Sequence, residues 1–424
     1  MDEPRTIVIG GGLAGLTAAA TVARTGRTVT LLEGGEHLGG RARSRRRDGF
    51  HVNLGPHALY RRGGGLAVLR RLGVSVRGRR PRLDRAGVYV DGIVVPAFGY
   101  LRHEVRDRLR VARAMAGLGD GDAASWAGRP AQEWIDDVTD DPAGRAMLAS
   151  VVRTATYTAD HDLLDAGAAA TQLRAAAHGV LYLHGGWSSL VDGLADVLRD
   201  HDGTVETKAT VTGVEHGDDA VHAVWLSDGR MMAADAVVIA VNDPGRVARL
   251  LGGEAARRVE AAATAAVPVR MAHLDVALRP LPERRFPNVL GVDEPVFISV
   301  QSSVADVAPP GGAVINVGRY LRPGEEGGDH RGSLERVLDV AQPDWRDHVV
   351  DARYVPRSMV AGDHPRAATG GASGRPRVDV TGVRGLAVAG DWIGPDGVLA
   401  DASILSGAAA AERVMATEPE LSYA

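Results

Sequence analysis

The chain has 424 residues, a formal net charge of −4 and no cysteine. Its length is that of two domains rather than one. A charge this close to neutral offers no bulk field for nucleic acid, and the absence of thiols excludes disulfides and thiolate metal sites.

The first elements are the most informative. Arg5-Thr6-Ile7-Val8-Ile9 reads as a buried strand and runs into Gly10-Gly11-Gly12-Leu13-Ala14-Gly15. An Ala-rich helix follows to about Arg24, a second strand covers 29–32, and Glu33 ends it. This is a βαβ unit with glycines where a dinucleotide needs them. Gly10 permits the tight turn, Gly12 lets the backbone approach a pyrophosphate, and Gly15 lets the helix pack close to the sheet. The helix start at Leu13 and Ala14 offers free N–H groups and the positive dipole end to phosphates. Glu33 stands 18 residues past Gly15, near the spacing of roughly 20 for a ribose-binding acid. A glycine-rich turn alone recurs in ordinary α/β sheets; here strand, turn, helix, strand and acid occur in order.

A second glycine turn carries arginines, Leu38-Gly39-Gly40-Arg41-Ala42-Arg43-Ser44, and Val52-Asn53-Leu54-Gly55-Pro56-His57 comes next. Arg45-Arg46-Arg47 reads as a solvated loop face, with a phosphate contact as the alternative. Gly63-Gly64-Gly65 breaks the chain, and 66–72 has helical spacing ended by Gly73. Residues 87–96 alternate around Asp91-Gly92, a hairpin signal. From about 101 to 199 the pattern is mostly helical, with apolar-faced pieces at 132–135 and 146–152. Gly185-Gly186 interrupts it, and 188–198 restarts a helix. Short strands are expected at Thr204–Thr207, 209–214 and Val221–Leu226. The continuous apolar run 236–241 suits a strand buried on both faces. Strands return at 270–278, Val296–Val300 and 313–319, a helical pattern covers 334–338, and the chain closes with Leu386-Ala387-Val388-Ala389-Gly390-Asp391-Trp392 and Gly397-Val398-Leu399-Ala400-Asp401-Ala402-Ser403 opening an Ala-rich helix. The start lacks a basic segment followed by an apolar stretch, and no window reaches the roughly 20 apolar residues of a membrane span. A cytoplasmic location is therefore expected; peripheral membrane contact has no supporting feature.

Together the blocks at 10–15, 38–44, 52–57 and the C-terminal pair resemble the superfamily of flavin amine oxidases, protoporphyrinogen oxidases and phytoene desaturases. The resemblance implies an α/β fold, a Rossmann-like FAD-binding domain with an inserted α+β substrate domain. The FAD-binding part would comprise 1–90, 190–262 and 375–424, and the substrate-binding part 91–189 and 263–374. It implies FAD, held non-covalently, since a cysteinyl link is impossible here. By the match, Gly40 and Arg41 lie against the pyrophosphate, and Gly55, Pro56 and His57 form the turn beside the flavin ring. The Val211 backbone holds the adenine, Gly390 and Asp391 bind the ribityl or pyrophosphate region, and Val398 and Leu399 open a helix whose Leu399 amide faces flavin O2. Each has a plainer alternative. Arg41 reads also as a surface arginine, Val211 as strand core, Asp391 as a helix N-cap, and His57 as part of a packed turn.

Two departures weigh on chemistry. Amine oxidases of the superfamily carry an active-site lysine, whereas Lys208, the single lysine, falls in a strand region. They also place an aromatic after the glycine matching Gly397, where this chain has Val398, and aromatics make up only 4 % of residues. The leading expectation is thus an FAD-dependent oxidoreductase of dehydrogenase, desaturase or oxidase type. It would take a hydride from a small or medium apolar metabolite to flavin N5 and pass electrons to dioxygen or a carrier. The alternatives are an amine oxidase acting on a C–N bond, a non-redox flavin isomerase or cyclase, and a non-catalytic FAD-binding partner. Tyr182 and His184 read either as proton acceptors or as packing between domains. The 14 histidines show no metal-ligand spacing, so no metal is expected, and there is no nucleophile elbow.

Overall fold

The structure is a computed structural model that describes residues 4–100, 122–217 and 219–416. The helical expectation for 101–121 lies outside the described residues. In chain order the elements that build the sheets and position the site are β1 (Arg5–Ile9), α1 (Leu13–Ala23), β2 (Thr28–Glu33), α2 (Gly64–Arg71), β3 (Ala86–Val90), β4 (Ile93–Pro96), α3 (Pro142–Thr156), α4 (Ser188–Asp200), β5 (Thr204–Thr207), β6 (Val211–His216), β7 (Ala236–Ile239), β8 (Val269–Leu278), β9 (Asn288–Gly291), β10 (Val296–Val300), β11 (Ala313–Leu321), α5 (Arg331–Ala341), β12 (Val349–Ala361), β13 (Leu386–Val388) and α6 (Leu399–Met415).

The first sheet has the order β5-β2-β1-β7-β13. All four pairings are parallel, the arrangement of a sheet covered on both faces. On one face Val8, Val29, Leu31 and Val238 pack with α1, α4 and α6; on the other Ile7, Ile9, Leu32, Val237 and Ile239 form a second cluster with Val247 and Trp392. This explains the apolar residues at 7–9 and the continuous apolar run at 236–241. Gly15 is indispensable to the packing: a Cβ there would stand 1.8 Å from the Gly10 carbonyl oxygen. Gly10 itself has φ +106°, a region open to glycine and hostile to other residues.

The second sheet has the order β12-β8-β11-β10-β9-β3-β4. It is antiparallel except where β3 runs parallel to β9. The hairpin read at 87–96 is present, and its two turn residues Asp91 and Gly92 have φ of +50° and +74°, matching the right-handed twist of its strands. Its first strand, 86–90, belongs to this sheet, so the expected boundary at 90 falls in the turn between the two strands of the hairpin. Alternation gives the sheet two unlike faces. Ala272, Leu274, Val276 and Leu278 of β8 join Ile298, Ile315 and Val317 beneath Leu334, Val337 and Leu338 of α5. Burying each such leucine stabilises by about 2 kcal/mol. The opposite face carries Met271, His273 and Asp275, paired across to Tyr320, Gly318 and Asn316 of β11. It is polar and aromatic, and it looks toward the first sheet.

A helical group built on α3 flanks this face. Asp141 starts α3, with its carboxylate accepting from the Gly144 N–H at 2.6 Å and Pro142 in the first turn, a pre-organised helix start. Among the described residues no helix is long and apolar enough to cross a membrane.

Candidate active site

A cavity of about 680 Å³ lies where the C-terminal ends of β1 and β2 meet the polar face of the second sheet. This is the position expected for a ligand of an open α/β sheet. Gly10, Gly12, Leu13, Ala14 and Glu33 line it from the βαβ unit; Gly40, Arg41, Gly55, Pro56 and His57 from the next two turns; Val211, Gly390, Asp391 and Leu399 from the middle and end of the chain. Stretches nearly 400 residues apart thus converge. Gly15 and Val398 do not line the cavity. Gly15 acts through the helix packing described above, and Val398 borders a separate small hollow with Thr158, His364 and Arg375.

Two helix starts face the cavity bare. α1 begins after Gly12 and α6 after Val398, and neither has a side-chain cap. Their first N–H groups are left for a ligand, and the two helix dipoles direct positive potential into one space. Nothing lies within 4 Å of a Cβ built on Gly12, so the backbone there is open to close approach. Leu399 has φ +57°, a strained choice for leucine. The buried Arg375 holds this turn by donating to the Gly397 carbonyl at 2.9 Å.

The acids are committed. Glu33 accepts from the Gly11 N–H at 2.7 Å and from the Gly35 N–H at 2.6 Å, tying the glycine turn to β2. Asp391, 1 % exposed, pairs with Arg41 at 2.7 Å and accepts from the Gly362 N–H at 2.9 Å. Arg41 also donates to the Val360 carbonyl. Both Arg41 and Asp391 therefore work within one bridge joining the N-terminal turn, β12 and the C-terminal strand end. Asp401, in the first turn of α6, accepts from the Gly65 N–H at 2.9 Å, and burial pushes its carboxyl up to about 6.

His57 lines the cavity and packs within the turn, with Nδ1 2.9 Å from the Gly55 carbonyl and its ring 4.8 Å from Trp187. Burial holds its pKa below the ordinary value. Tyr182 lies outside the cavity, buried between Asn288 and Ser299. His184 is 2.9 Å from Asp306 at the surface. Both are packing and surface groups rather than cavity acids or bases. Lys208 pairs with Glu36 in solvent, 70 % exposed.

Sequence reasoning missed the wall facing the turn at Gly55. Tyr60, Tyr157, Met271, His273, Arg353, Val355 and Asp401 line it. Tyr60 donates to the Ala155 carbonyl at 2.8 Å; Tyr157, whose hydroxyl burial keeps protonated, reaches the Pro56 carbonyl at 3.5 Å. The alternation Met271-Ala-His273-Leu-Asp275 was the available signal. It marks one strand face as polar where the other is wholly apolar.

Comparison with known proteins matches this geometry. The family model described as flavin containing amine oxidoreductase matches residues 13–415. An L-amino-acid oxidase of Pseudechis australis is 48 % identical over 63 residues, which is 14 % of this chain and 12 % of that protein. An oxidoreductase from Methanosarcina mazei has the same fold, with a TM-score of 0.79 at 20 % identity over 96 % of this chain and 100 % of that one. Putrescine oxidase with putrescine bound superposes with a TM-score of 0.73 at 14 % identity, covering 97 % and 99 % of the two chains. With the glycine turn, the Arg41–Asp391 bridge and the start of α6 all on one cavity, the chain belongs to the flavin containing amine oxidoreductases, a family of FAD-dependent oxidoreductases.

Proposed function

We propose that the protein binds FAD non-covalently and removes a hydride from a small or medium metabolite seated between the Gly55 turn and the second sheet. One observation carries the reading: two uncapped helix starts, from opposite ends of the chain, face a single cavity. The residues fit the cofactor. The N–H groups at the start of α1, with Gly12 and Gly40 opening the backbone, suit a pyrophosphate, and the Val211 backbone on β6 suits the adenine. The start of α6 at Leu399 suits the pyrimidine edge of the ring, where its dipole favours the negative charge of the reduced state without a charged side chain. FAD supplies the two-electron redox chemistry. Glu33 and the Arg41–Asp391 bridge keep the loops in register. Tyr60, Tyr157, Met271 and Val355 present apolar surface to the substrate and exclude water.

The substrate is an apolar or weakly polar compound by this reading, and the electron acceptor is dioxygen or a carrier. An amine is the second reading, favoured by Asp401, a carboxyl buried in the same cavity wall. The test is spectroscopic. Purified protein should absorb near about 450 nm, as oxidised flavin does, and should bleach anaerobically with a substrate from an amine, alcohol or alkyl panel. Colourless protein that takes up no FAD would overturn the proposal.

A further inference from the structure

We infer that a cleft lined by four arginines binds a soluble ligand carrying adjacent phosphate groups, a di- or triphosphate. The cleft holds about 580 Å³ and is lined by Arg61, Arg62, Arg70, Arg80, Ala177 and His178. It shares no lining residue with the cavity described above, and the inference stands apart from the function proposed there.

Three stretches of chain bring the cations together. Arg61 and Arg62 follow the short strand Leu59–Tyr60, which pairs antiparallel with Val180 and Leu181. The Arg61 backbone N–H donates to the Gly179 carbonyl at 3.1 Å, and its guanidinium donates to the His178 carbonyl at 3.2 Å. Nη1 of Arg62 stands 3.3 Å from Nε2 of His178. His178 and Gly179 end the helix Ala166–Ala177, and the negative end of its dipole favours cations there. Gly179 has φ +87°, and a Cβ on it would stand 3.3 Å from Nε of Arg80. The glycine therefore lets that guanidinium lie against the turn. Arg70 comes from the last turn of α2, where its neighbour Arg71 pairs instead with Glu412 at 3.6 Å.

No acid lines the cleft, and among the described residues none of the four arginines forms an ion pair. Other exposed arginines of this chain do find acids: Arg82 pairs with Asp84, Arg230 with Glu206 and Asp228, Arg346 with Glu335. The cleft is roughly 8 Å across, the cube root of its volume. That is within the screening length of about 10 Å at 0.1 M salt, so the four charges repel one another until an anion enters. The guanidinium fork meets phosphate oxygens two at a time. One phosphate group carries about −1.5 to −2 at pH 7, about half of what four arginines present, so two or more adjacent groups are needed to balance them. The concave shape suits a compact ligand rather than a flat bilayer surface.

The experiment titrates inorganic triphosphate into protein saturated with FAD, which closes the start of α1 to the probe, and reads the heat of binding. Saturable binding should appear and weaken as salt is raised. Inorganic phosphate should bind at least about tenfold more weakly. Arg62→Gln and Arg80→Gln, both exposed, should each lower triphosphate affinity about tenfold while FAD content and melting temperature stay unchanged. Arg70→Gln, on a separate helix, should act in the same direction. No saturable binding, equal affinity in wild type and variants, or phosphate binding as tightly as triphosphate would each overturn the inference. Vesicles containing phosphatidylinositol bisphosphate carry the same chemistry on a surface. Triphosphate that binds without vesicles and displaces the protein from them would support the soluble ligand; attachment to vesicles with no response to free triphosphate would overturn it.

Discussion

The two sheets use their residues in opposite ways. The first lines the cavity through backbone: glycines, helix starts and strand ends, with side chains such as Glu33 and Asp391 turned to holding loops. The second lines it through side chains on one face, Met271, His273 and Arg353 among them, while its other face is anonymous apolar core. The lesson is that a backbone site depends on what must be absent, and a side-chain site depends on register.

The largest effect should come from violating an absence. Gly15→Val would drive a side chain into the Gly10 carbonyl, 1.8 Å from where the Cβ falls. Protein carrying it should purify without flavin and melt well below wild type, a clash beyond the usual 3 kcal/mol of a point change. Retention of normal flavin content would break the comparison at its root.

A smaller effect tests the polar side of the second region. His161 and His364 are buried there, and burial lowers their pKa from 6.5 to about 3 and about 4. Between those values and 6.5 the unfolded chain binds more protons than the folded one, so stability rises with pH in this window and is lost as pH falls below 6.5. By pH 5 each should cost roughly 2 kcal/mol. Urea denaturation from pH 7 to 5 should show this slope, and His364→Asn should reduce it by about half. A flat wild-type profile would mean these rings are not held neutral.

The smallest effect sits where the regions meet. Asp401 has its pKa raised from 3.8 to about 6. The folded state holds its proton more tightly, so stability falls as pH rises from about 4 to 6 and the penalty persists above that. Asp401→Asn keeps an oxygen for the Gly65 N–H and should gain about 3 kcal/mol at pH 7.5, with little gain at pH 4. A loss at pH 7.5 in chemical denaturation would show that the start of α6 already compensates the charge.

The same contrast explains what the sequence made legible. The βαβ unit, the turns at Gly40 and Gly55 and the Gly390-Asp391 strand end could be read because glycine at a fixed spacing has few other uses. The hairpin around Asp91-Gly92 could be read from its turn, but not its partner, because nothing local in 86–90 specifies a parallel neighbour 200 residues away at β9. His273 escaped notice for the same reason. Its place on the cavity comes from packing against the Gly55 turn, which is far from it in the chain. Val398 was drawn to the cofactor by its position in a block, but the helix start presents Leu399 to the cavity and turns Val398 behind it.

The bridge from Arg41 to Asp391 has a bearing on biogenesis. Its two halves leave the ribosome some 350 residues apart, and the last strand of the first sheet comes with the second half. Until nearly the whole polypeptide has been synthesised there is no cradle to fill. Coenzyme capture is therefore expected late in assembly, once the Asp391 strand end has joined the Arg41 turn.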